Sequence, residues 1–153
     1  MKNIVVTTDL SEESLQAFAT AREIAQAFSA TIELVAVVED PAQAAMIYAL
    51  DYPVIPGSEI QDQLRTKVRR DLEDFKKDYF DGLRVNVQVL EAESSVHETI
   101  VEFARRSQAD LVIMSSHGRA GISRFFIGSV VERVIRECPC PILTVPSVAR
   151  ENV

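Results

Sequence analysis

The sequence predicts an α/β fold in which one open, parallel five-stranded sheet carries helices on both faces, with strand order 3-2-1-4-5. Short β-branched runs such as Ile4–Val6 and Leu111–Met114 alternate with longer segments whose apolar residues recur every three or four positions. The segments between strands are long enough for the crossover helices that parallel strands require. The chain of 153 residues has the size of one ordinary domain, so we expect a single domain over 1–153.

The first half of the chain is predicted to form two strands and two helices. The run Ile4–Val6 is typical of a buried strand. Ser11 is placed to cap a helix that reaches about Phe28, with two glutamates in the first turn, where the helix dipole favours negative charge. A second strand is expected over Thr31–Val38. A charged helix over about 59–79 is predicted to bury Ile60, Leu64, Val68, Leu72 and Phe75.

Residues 40–58 show no regular pattern and contain Pro41, Pro53, Pro56 and Gly57. A connection of this length inside a compact domain is often a lid or a binding loop. The alternative is an irregular flap that simply packs against the domain.

The second half is predicted to contain three strands and two helices. The segment Arg84–Leu90 alternates between valines and polar residues, which indicates a half-exposed strand near a sheet edge. Ser94 or Ser95 should cap a helix that ends near Ser107, with His97 at the surface. A strand over 110–114, a helix over 129–137 and a last strand over 141–145 follow. The last helix is predicted to pack through one stripe: Ile127, Val130, Val131, Val134 and Ile135.

Composition argues against several classes of partner. The chain carries 16 Lys and Arg against 23 Asp and Glu, a net charge of −7. Binding to nucleic acid or to an anionic membrane requires a cationic surface, so neither is expected. No apolar run approaches the roughly 18 residues of a membrane span, and the first residues do not form a secretory signal. Two cysteines, Cys138 and Cys140, are too few for a secreted disulfide scaffold, and we expect a cytoplasmic protein with structural cysteines.

Two loops are candidates for a ligand site, because ligands of open α/β sheets bind beyond the carboxyl ends of the strands. These loops are Thr7–Ser11 and Ser115–Gly121. In the second loop two glycines would let backbone amides approach an anion, and Gly128-Ser129 opens a helix whose amino end favours phosphate. Ordinary turn glycines and a serine helix cap explain the same residues equally well. Neither a GxxxxGK[ST] motif nor a GxGxxG after the first strand is present, so a P-loop NTPase or a dinucleotide dehydrogenase is poorly supported.

The segments 114–121 and 125–134 resemble the signature of the universal stress protein family, which has the adenine nucleotide alpha hydrolase-like fold. The opening 5–11, the strand 109–114 and the ending 138–145 fit the same family. Its ATP-binding members carry glycine, two residues, glycine, nine residues, then glycine and serine or threonine. Gly118, Gly128 and Ser129 match this motif, and Ser115 replaces its first glycine.

The resemblance implies that ATP, alone or with Mg²⁺, is the ligand. It places Asp9 near the ribose and adenine, Val37 in the adenine pocket, and Gly118, Gly128 and Ser129 at the phosphates. Judged without the family, Asp9 is typical of a helix cap, and Val37 and Met114 are typical of core packing. The complete set of implied nucleotide-binding residues is Thr8, Asp9, Val37, Met114, Ser115, Ser116, Gly118, Arg119, Gly128, Ser129 and Val130.

Three functions are compatible with these residues. The first is an ATP-binding regulatory module of the stress response, working as a homodimer that the resemblance joins through Ile142, Leu143 and Val145 of the last strand. The second is a dimeric interaction protein that needs no nucleotide. The third, a hydrolase, lacks an identifiable base, nucleophile and metal ligand set, so no catalytic residue is predicted and His117 and His97 are assigned no role. AMP or a cyclic nucleotide remains open as the ligand.

Overall fold

The computed structural model describes residues 1–39, 58–116 and 127–146. The strands are β1 (Asn3–Thr7), β2 (Thr31–Glu39), β3 (Arg84–Ala92), β4 (Leu111–Ser115) and β5 (Ile142–Val145). The helices of the described part are α1 (Glu12–Phe28), α2 (Ser58–Tyr79), α3 (Val96–Arg106) and α4 (Ser129–Glu137). Observed and predicted ends agree within one or two residues. The segment 40–57 lies outside the described residues, so the lid or binding loop expected there stays a prediction.

The five strands form one parallel sheet in the order β3-β2-β1-β4-β5, which confirms the predicted α/β fold and strand order. β1 is central and pairs in parallel with β2 and with β4. β3 lies at one edge and β5 at the other, each paired with a single described strand. The order reverses between β1 and β4, and parallel α/β sheets bind ligands at such a reversal.

Helices cover both faces of the sheet. On one face Phe18 of α1 and Leu72 of α2 pack against Ile4 and Val6 of β1. On the other face Phe103 of α3 packs against Val5 of β1 and Val112 of β4. Successive side chains of β1 point to opposite faces of the sheet and so pack into both cores. Residues 4–6 are therefore all fully buried. Among the described residues, no helix combines the length and apolar character needed to cross a membrane.

The residue that caps the amino end is known for three helices. It is a serine for α1 and α3 and a glycine for α4. The Ser11 hydroxyl accepts the Ser14 N–H at the start of α1, as predicted, and Ser95, not Ser94, caps α3. The residue before α4 is Gly128, which has no side chain to cap the helix. The alternative in which Ser129 acts as the cap is therefore wrong, because Ser129 is already the first helical residue.

Three predicted core positions are wrong. Leu64 is 37% exposed, because residues 62–67 of α2 are exposed and the helix becomes buried only from Val68 onward. Ile127 and Ile135 are 53% and 46% exposed, since α4 packs mainly through Val131 and Val134. The side chain of Ile60 lies outside the described residues.

His97 is buried, although the sequence analysis placed it at the surface. Its ring Nδ1 lies 2.9 Å from the Ser95 hydroxyl, and Nε2 lies 3.7 Å from a carboxylate oxygen of Glu137. The ring thus packs where the first turn of α3 meets the last residue of α4. Its position follows from the packing of these two helices, which the local sequence does not encode.

Candidate functional site

Buried polar side chains concentrate at the carboxyl ends of β1 and β4. The buried polar residues of the described chain are Thr7, Thr8, Ser14, His97 and Ser115. Four of these five lie where β1 and β4 end and where α1 begins. Burying a polar group costs free energy unless it is hydrogen-bonded, so a hydroxyl cluster at one end of the sheet is a candidate for ligand contacts.

The turn between β1 and α1 is organised by Thr8. Its Oγ1 lies 2.6 Å from the Ser14 Oγ and accepts the Leu10 N–H at 3.0 Å. The Thr8 N–H donates to the Val35 carbonyl at 2.9 Å, which joins the turn to β2. Leu10 has a φ of 66°, a left-handed conformation that costs a leucine about 1–2 kcal/mol. The hydrogen bonds of Thr8 hold this turn in place at the central strand.

Asp9 projects from the same turn and is half-exposed. Its Oδ1 accepts the Ser11 N–H at 3.0 Å and the Ser11 hydroxyl at 2.5 Å. This arrangement is an Asx-turn that leads into the helix cap. The carboxylate is therefore held at the carboxyl end of β1. The interpretation of Asp9 as the helix cap is wrong, because the residue that caps α1 is Ser11.

Ser115 is the last residue of β4, where it is buried and pairs with Val145. The left-handed non-glycine residues of the described chain are Leu10, Ser29 and Gln108, so Ser115 has ordinary strand geometry. A serine can occupy this position without backbone strain. Its replacement of the first motif glycine is therefore conformationally acceptable.

Ser116 links β4, β5 and the start of α4. Its N–H donates to the Val145 carbonyl at 2.8 Å, and its carbonyl accepts the Gly128 N–H at 3.0 Å. Ser116 and Gly128 thus lie in contact, as the implied phosphate loop requires. The amide of Gly128 is therefore not free to bind an anion, because it already donates to the Ser116 carbonyl.

None of the described neighbours requires glycine at position 128. Its φ and ψ are −58° and 145°, which any residue adopts. Among the described residues, a Cβ there would lie 3.5 Å from the Ser116 carbonyl oxygen and 3.9 Å from a Val131 methyl, both ordinary contacts. A glycine at this position also lets a ligand approach the backbone closely.

The amino end of α4 presents three backbone amides. The first bond that closes a turn of α4 runs from the Glu132 N–H to the Gly128 carbonyl at 3.0 Å. The amides of Ser129, Val130 and Val131 therefore precede the hydrogen-bonded ladder of the helix and lie at its positive end. These three donors, rather than that of Gly128, are suited to an anion.

The predicted apolar residues come together on the other side of the same strand end. Met114 belongs to a buried cluster with Ile100 and Val131, and the half-buried Val37 and Val130 pack against that cluster. Val37 and Val130 therefore offer partly exposed apolar surface on this side of the strand ends. Such a surface suits the face of an aromatic base.

Two predicted site residues, Gly118 and Arg119, lie outside the described residues. Two further residues at this end were not predicted from the sequence: Thr7 and Ser14 are buried, and Ser14 is hydrogen-bonded to Thr8. The signal that would have found Ser14 is its position one helical turn after Ser11, facing back toward the strand end. Within 1–39, 58–116 and 127–146, no three His, Cys, Asp or Glu side chains are grouped so that they could hold a metal ion.

Comparison with known proteins identifies relatives over the whole chain. The model of the universal stress protein family matches residues 1–146. Universal stress protein MJ0531 of Methanocaldococcus jannaschii is 33% identical over an alignment of 153 positions, which covers 98% of this chain and 85% of the relative. The solved structure of hypothetical protein MJ0577 superimposes with a TM-score of 0.78 at 25% identity, covering 99% of this chain and 98% of the other.

A further solved structure is that of a universal stress protein in complex with cAMP. It has a TM-score of 0.64 at 24% identity and covers 96% of this chain and 98% of the other. At that identity the likeness shows the shared fold.

Proposed function

The chain belongs to the universal stress protein family, and we propose that it is a cytoplasmic stress-response module that binds ATP at the carboxyl ends of β1 and β4. The observation that supports the proposal is that buried hydroxyls and a helix amino end preceded by a glycine lie at one reversal of strand order. ATP, with Mg²⁺ on its phosphates, would use each of these features.

The phosphates are assigned to the amino end of α4. The amides of Ser129, Val130 and Val131 donate toward negative charge, and the Ser129 hydroxyl is exposed beside them. The helix dipole adds a favourable interaction with an anion at this end. Gly128 leaves room for a phosphate next to the backbone.

The nucleoside is assigned to the turn after β1 and the end of β2. The Asp9 carboxylate is held by Ser11 at the strand end and is suited to accept hydrogen bonds from ribose hydroxyls. Val37 and Val130 supply apolar surface for the adenine face. Thr8 and Ser115 fix the backbone between the two parts of the nucleotide.

Several structures of the same fold hold an adenine nucleotide. Universal stress proteins have been solved in complex with cAMP, with dAMP and with AMP, at 24%, 18% and 14% identity to this chain. Those ligands belong to those proteins, so the choice of ATP here is supported by the local residues and by the motif match at Gly118, Gly128 and Ser129.

Calorimetric titration with Mg-ATP tests the proposal. We expect saturable binding to the wild-type protein, and a loss of at least tenfold in affinity for Gly128→Glu, about 1.4 kcal/mol. The added carboxylate would lie against the negatively charged phosphates. Gln63→Glu, which adds the same charge on the exposed part of α2, is the matched control and should change affinity less than about twofold.

The result that rejects the proposal is an absence of binding to nucleotide-free wild-type protein, or equal binding by both variants. The first of these outcomes would favour the nucleotide-independent interaction protein. One observation favours that second function: the Gly128 amide donates to the Ser116 carbonyl at 3.0 Å and so is not available to a phosphate.

We also propose that the protein is a homodimer joined through β5. β5 is an edge strand, and its residues Ile142, Leu143 and Val145 are only half-buried. Pairing with a second β5 would satisfy the open edge and bury these side chains further. Light scattering during size-exclusion chromatography should give twice the 17.0 kDa chain mass, and a monomer at micromolar concentration would contradict the proposal.

A further inference from the structure

A second cleft lies away from the carboxyl ends of the strands, on the face of the sheet that α3 covers. It has a volume of about 440 Å³, which is within the usual range of small-molecule sites. Its lining residues come from β1, β2, β3 and the end of α3: Asn3, Glu33, Gln88, Phe103, Arg106 and Ser107. None of them belongs to the proposed nucleotide site, so a ligand in this cleft does not depend on ATP binding.

The floor of the cleft is polar. Parallel strands are mostly apolar, because helices usually cover both of their faces. Here Glu33 of β2 pairs in register with Asn86 of β3, and Gln88 follows on the same face of β3. α3 packs on Val35, the next residue of β2 on this face, and leaves Glu33 and Gln88 half-buried. These strands therefore present hydrogen-bonding groups on a face that is usually apolar in such sheets.

The carboxylate of Glu33 is oriented by two side-chain amides. Its Oε1 accepts the Asn86 amide at 2.7 Å, and its Oε2 accepts the Gln88 amide at 3.0 Å. A carboxylate oxygen has two lone pairs, so each oxygen can accept one further hydrogen bond. The amides carry no charge, and Glu33 forms no ion pair within the described part of the chain. Its negative charge is thus oriented but not neutralised.

A buried oxygen without a donor lies on the neighbouring strand. Asn3 of β1 is on the same face as Glu33, since Val5, two residues later, pairs with Glu33. The Asn3 Nδ2 donates to the Ser107 carbonyl at 2.7 Å, whereas Oδ1 is buried and has no hydrogen-bond partner among the described residues. In a medium of low dielectric the partial negative charge of this oxygen is poorly screened. This part of the cleft therefore favours a positively charged group.

The opposite charge is supplied by Arg106, the last residue of α3. Arg106 lines the same cleft, and its guanidinium forms no hydrogen bond or ion pair within the described residues. The neighbouring Arg105 differs, because its guanidinium is paired with Glu102 at 2.9 Å. A guanidinium carries parallel N–H donors that match the two oxygens of a carboxylate. The cleft thus contains an anion and a cation that are not in contact with each other.

We propose that this cleft binds a small zwitterion of the amino acid class. The Arg106 guanidinium pairs with the carboxylate of the ligand, and the Glu33 carboxylate accepts hydrogen bonds from its ammonium group. A simple anion is repelled by Glu33 and a simple cation by Arg106, whereas a molecule with both charges is attracted by both residues. Phe103 contributes the apolar part of the lining, against which the side chain of the amino acid lies.

NMR of side-chain amides tests the cleft directly, because Asn3, Asn86 and Gln88 each carry an amide group there. Each common L-amino acid is titrated separately into the isotope-labelled full-length protein. We expect saturable shifts of the Asn3 and Gln88 amides with at least one of them. Its analogues that lack either the carboxylate or the ammonium group should bind at least about tenfold more weakly. No saturable shift with any amino acid, or equal binding of either analogue, would overturn the proposal.

Two adjacent arginines give a matched pair of variants. Arg106→Gln should weaken amino acid binding at least about tenfold, because it removes the partner of the carboxylate. Arg105→Gln removes the same charge outside the lining of the cleft and should change the affinity less than about twofold. Equal effects of the two variants would contradict the role of Arg106, and undiminished binding by Glu33→Gln would contradict that of Glu33.

Discussion

Small residues determine how closely a ligand can approach the end of β4. Ser115 has strand geometry, so its Cβ causes no backbone strain where the family motif has glycine. At Gly128, a Cβ would make only ordinary contacts with the described residues, so these neighbours do not themselves require glycine. A sequence motif alone does not distinguish these two cases, because the distinction depends on φ and on neighbouring atoms.

Asp110 is a residue whose role appears only in the structure. Its Oδ2 accepts the backbone amides of Lys2 and Asn3, and its own N–H donates to the Asn3 carbonyl at 2.9 Å. The hydrogen bonds from the Lys2 and Asn3 amides lower the pKa of the Asp110 carboxyl below its usual value. The ionised form thus fastens the start of β1 to the start of β4.

The pH dependence of stability should report this contact. Because the folded-state pKa of Asp110 is lowered, its contribution is present above the unfolded pKa of about 3.9 and is lost as pH falls through the folded value. We expect Asp110→Asn to be less stable than the wild-type protein at pH 7. The difference in unfolding free energy between the two proteins should shrink toward pH 2. Denaturant unfolding at several pH values measures it, and a difference that does not depend on pH would contradict the assignment.

Cys140 has the opposite shift. Burial, followed by the neighbouring Cys138 thiol, raises its pKa to about 12. Its contribution to stability is therefore present below the unfolded pKa of about 8.5 and is lost as pH rises toward 12.

Among the helices, α2 shows which features of a helix can be predicted from the spacing of its apolar residues and which cannot. The spacing of Leu64, Val68, Leu72 and Phe75 correctly predicts the helix and the face that turns inward, because residues three and four apart share a face. The pattern does not reveal where along the helix the packing begins, since that depends on the sheet beneath it. Of the side chains described for α2, over 61–79, those that join the core begin at Val68. Phe75 and Tyr79 make edge contacts with Phe18 at 5.6 and 5.3 Å between ring centres.

The same chemical change at two positions of α2 tests this boundary. Leu72→Ala should lower the free energy of unfolding by about 2–5 kcal/mol, because it leaves a cavity among fully buried neighbours. Leu64→Ala removes a side chain that is 37% exposed and should cost less than about 1 kcal/mol. Both values come from denaturant unfolding. Similar losses for the two variants would show that α2 is packed along its whole length.

For the whole molecule, the sequence predicted the sheet order correctly, because parallel strands joined by crossover helices have few possible arrangements. The end of the sheet that carries the candidate site was predicted from a separate rule, that ligands of open α/β sheets bind beyond the carboxyl ends of the strands. Contacts that depend on how the helices pack on the sheet could not be predicted from the sequence. They are the hydrogen bond from Gly128 to the Ser116 carbonyl, the burial of His97 and the hydrogen bond between Thr8 and Ser14.

The most direct test of the nucleotide site is to map backbone amide resonances by NMR while Mg-ATP is added. We expect saturable shifts at residues 8–11, 115–116 and 129–131, because these amides lie at the strand ends and at the amino end of α4. The amides of 84–88 on the outer edge strand β3 should remain nearly unchanged. Shifts that avoid residues 129–131, or no saturable shift at any of these positions, would contradict the site.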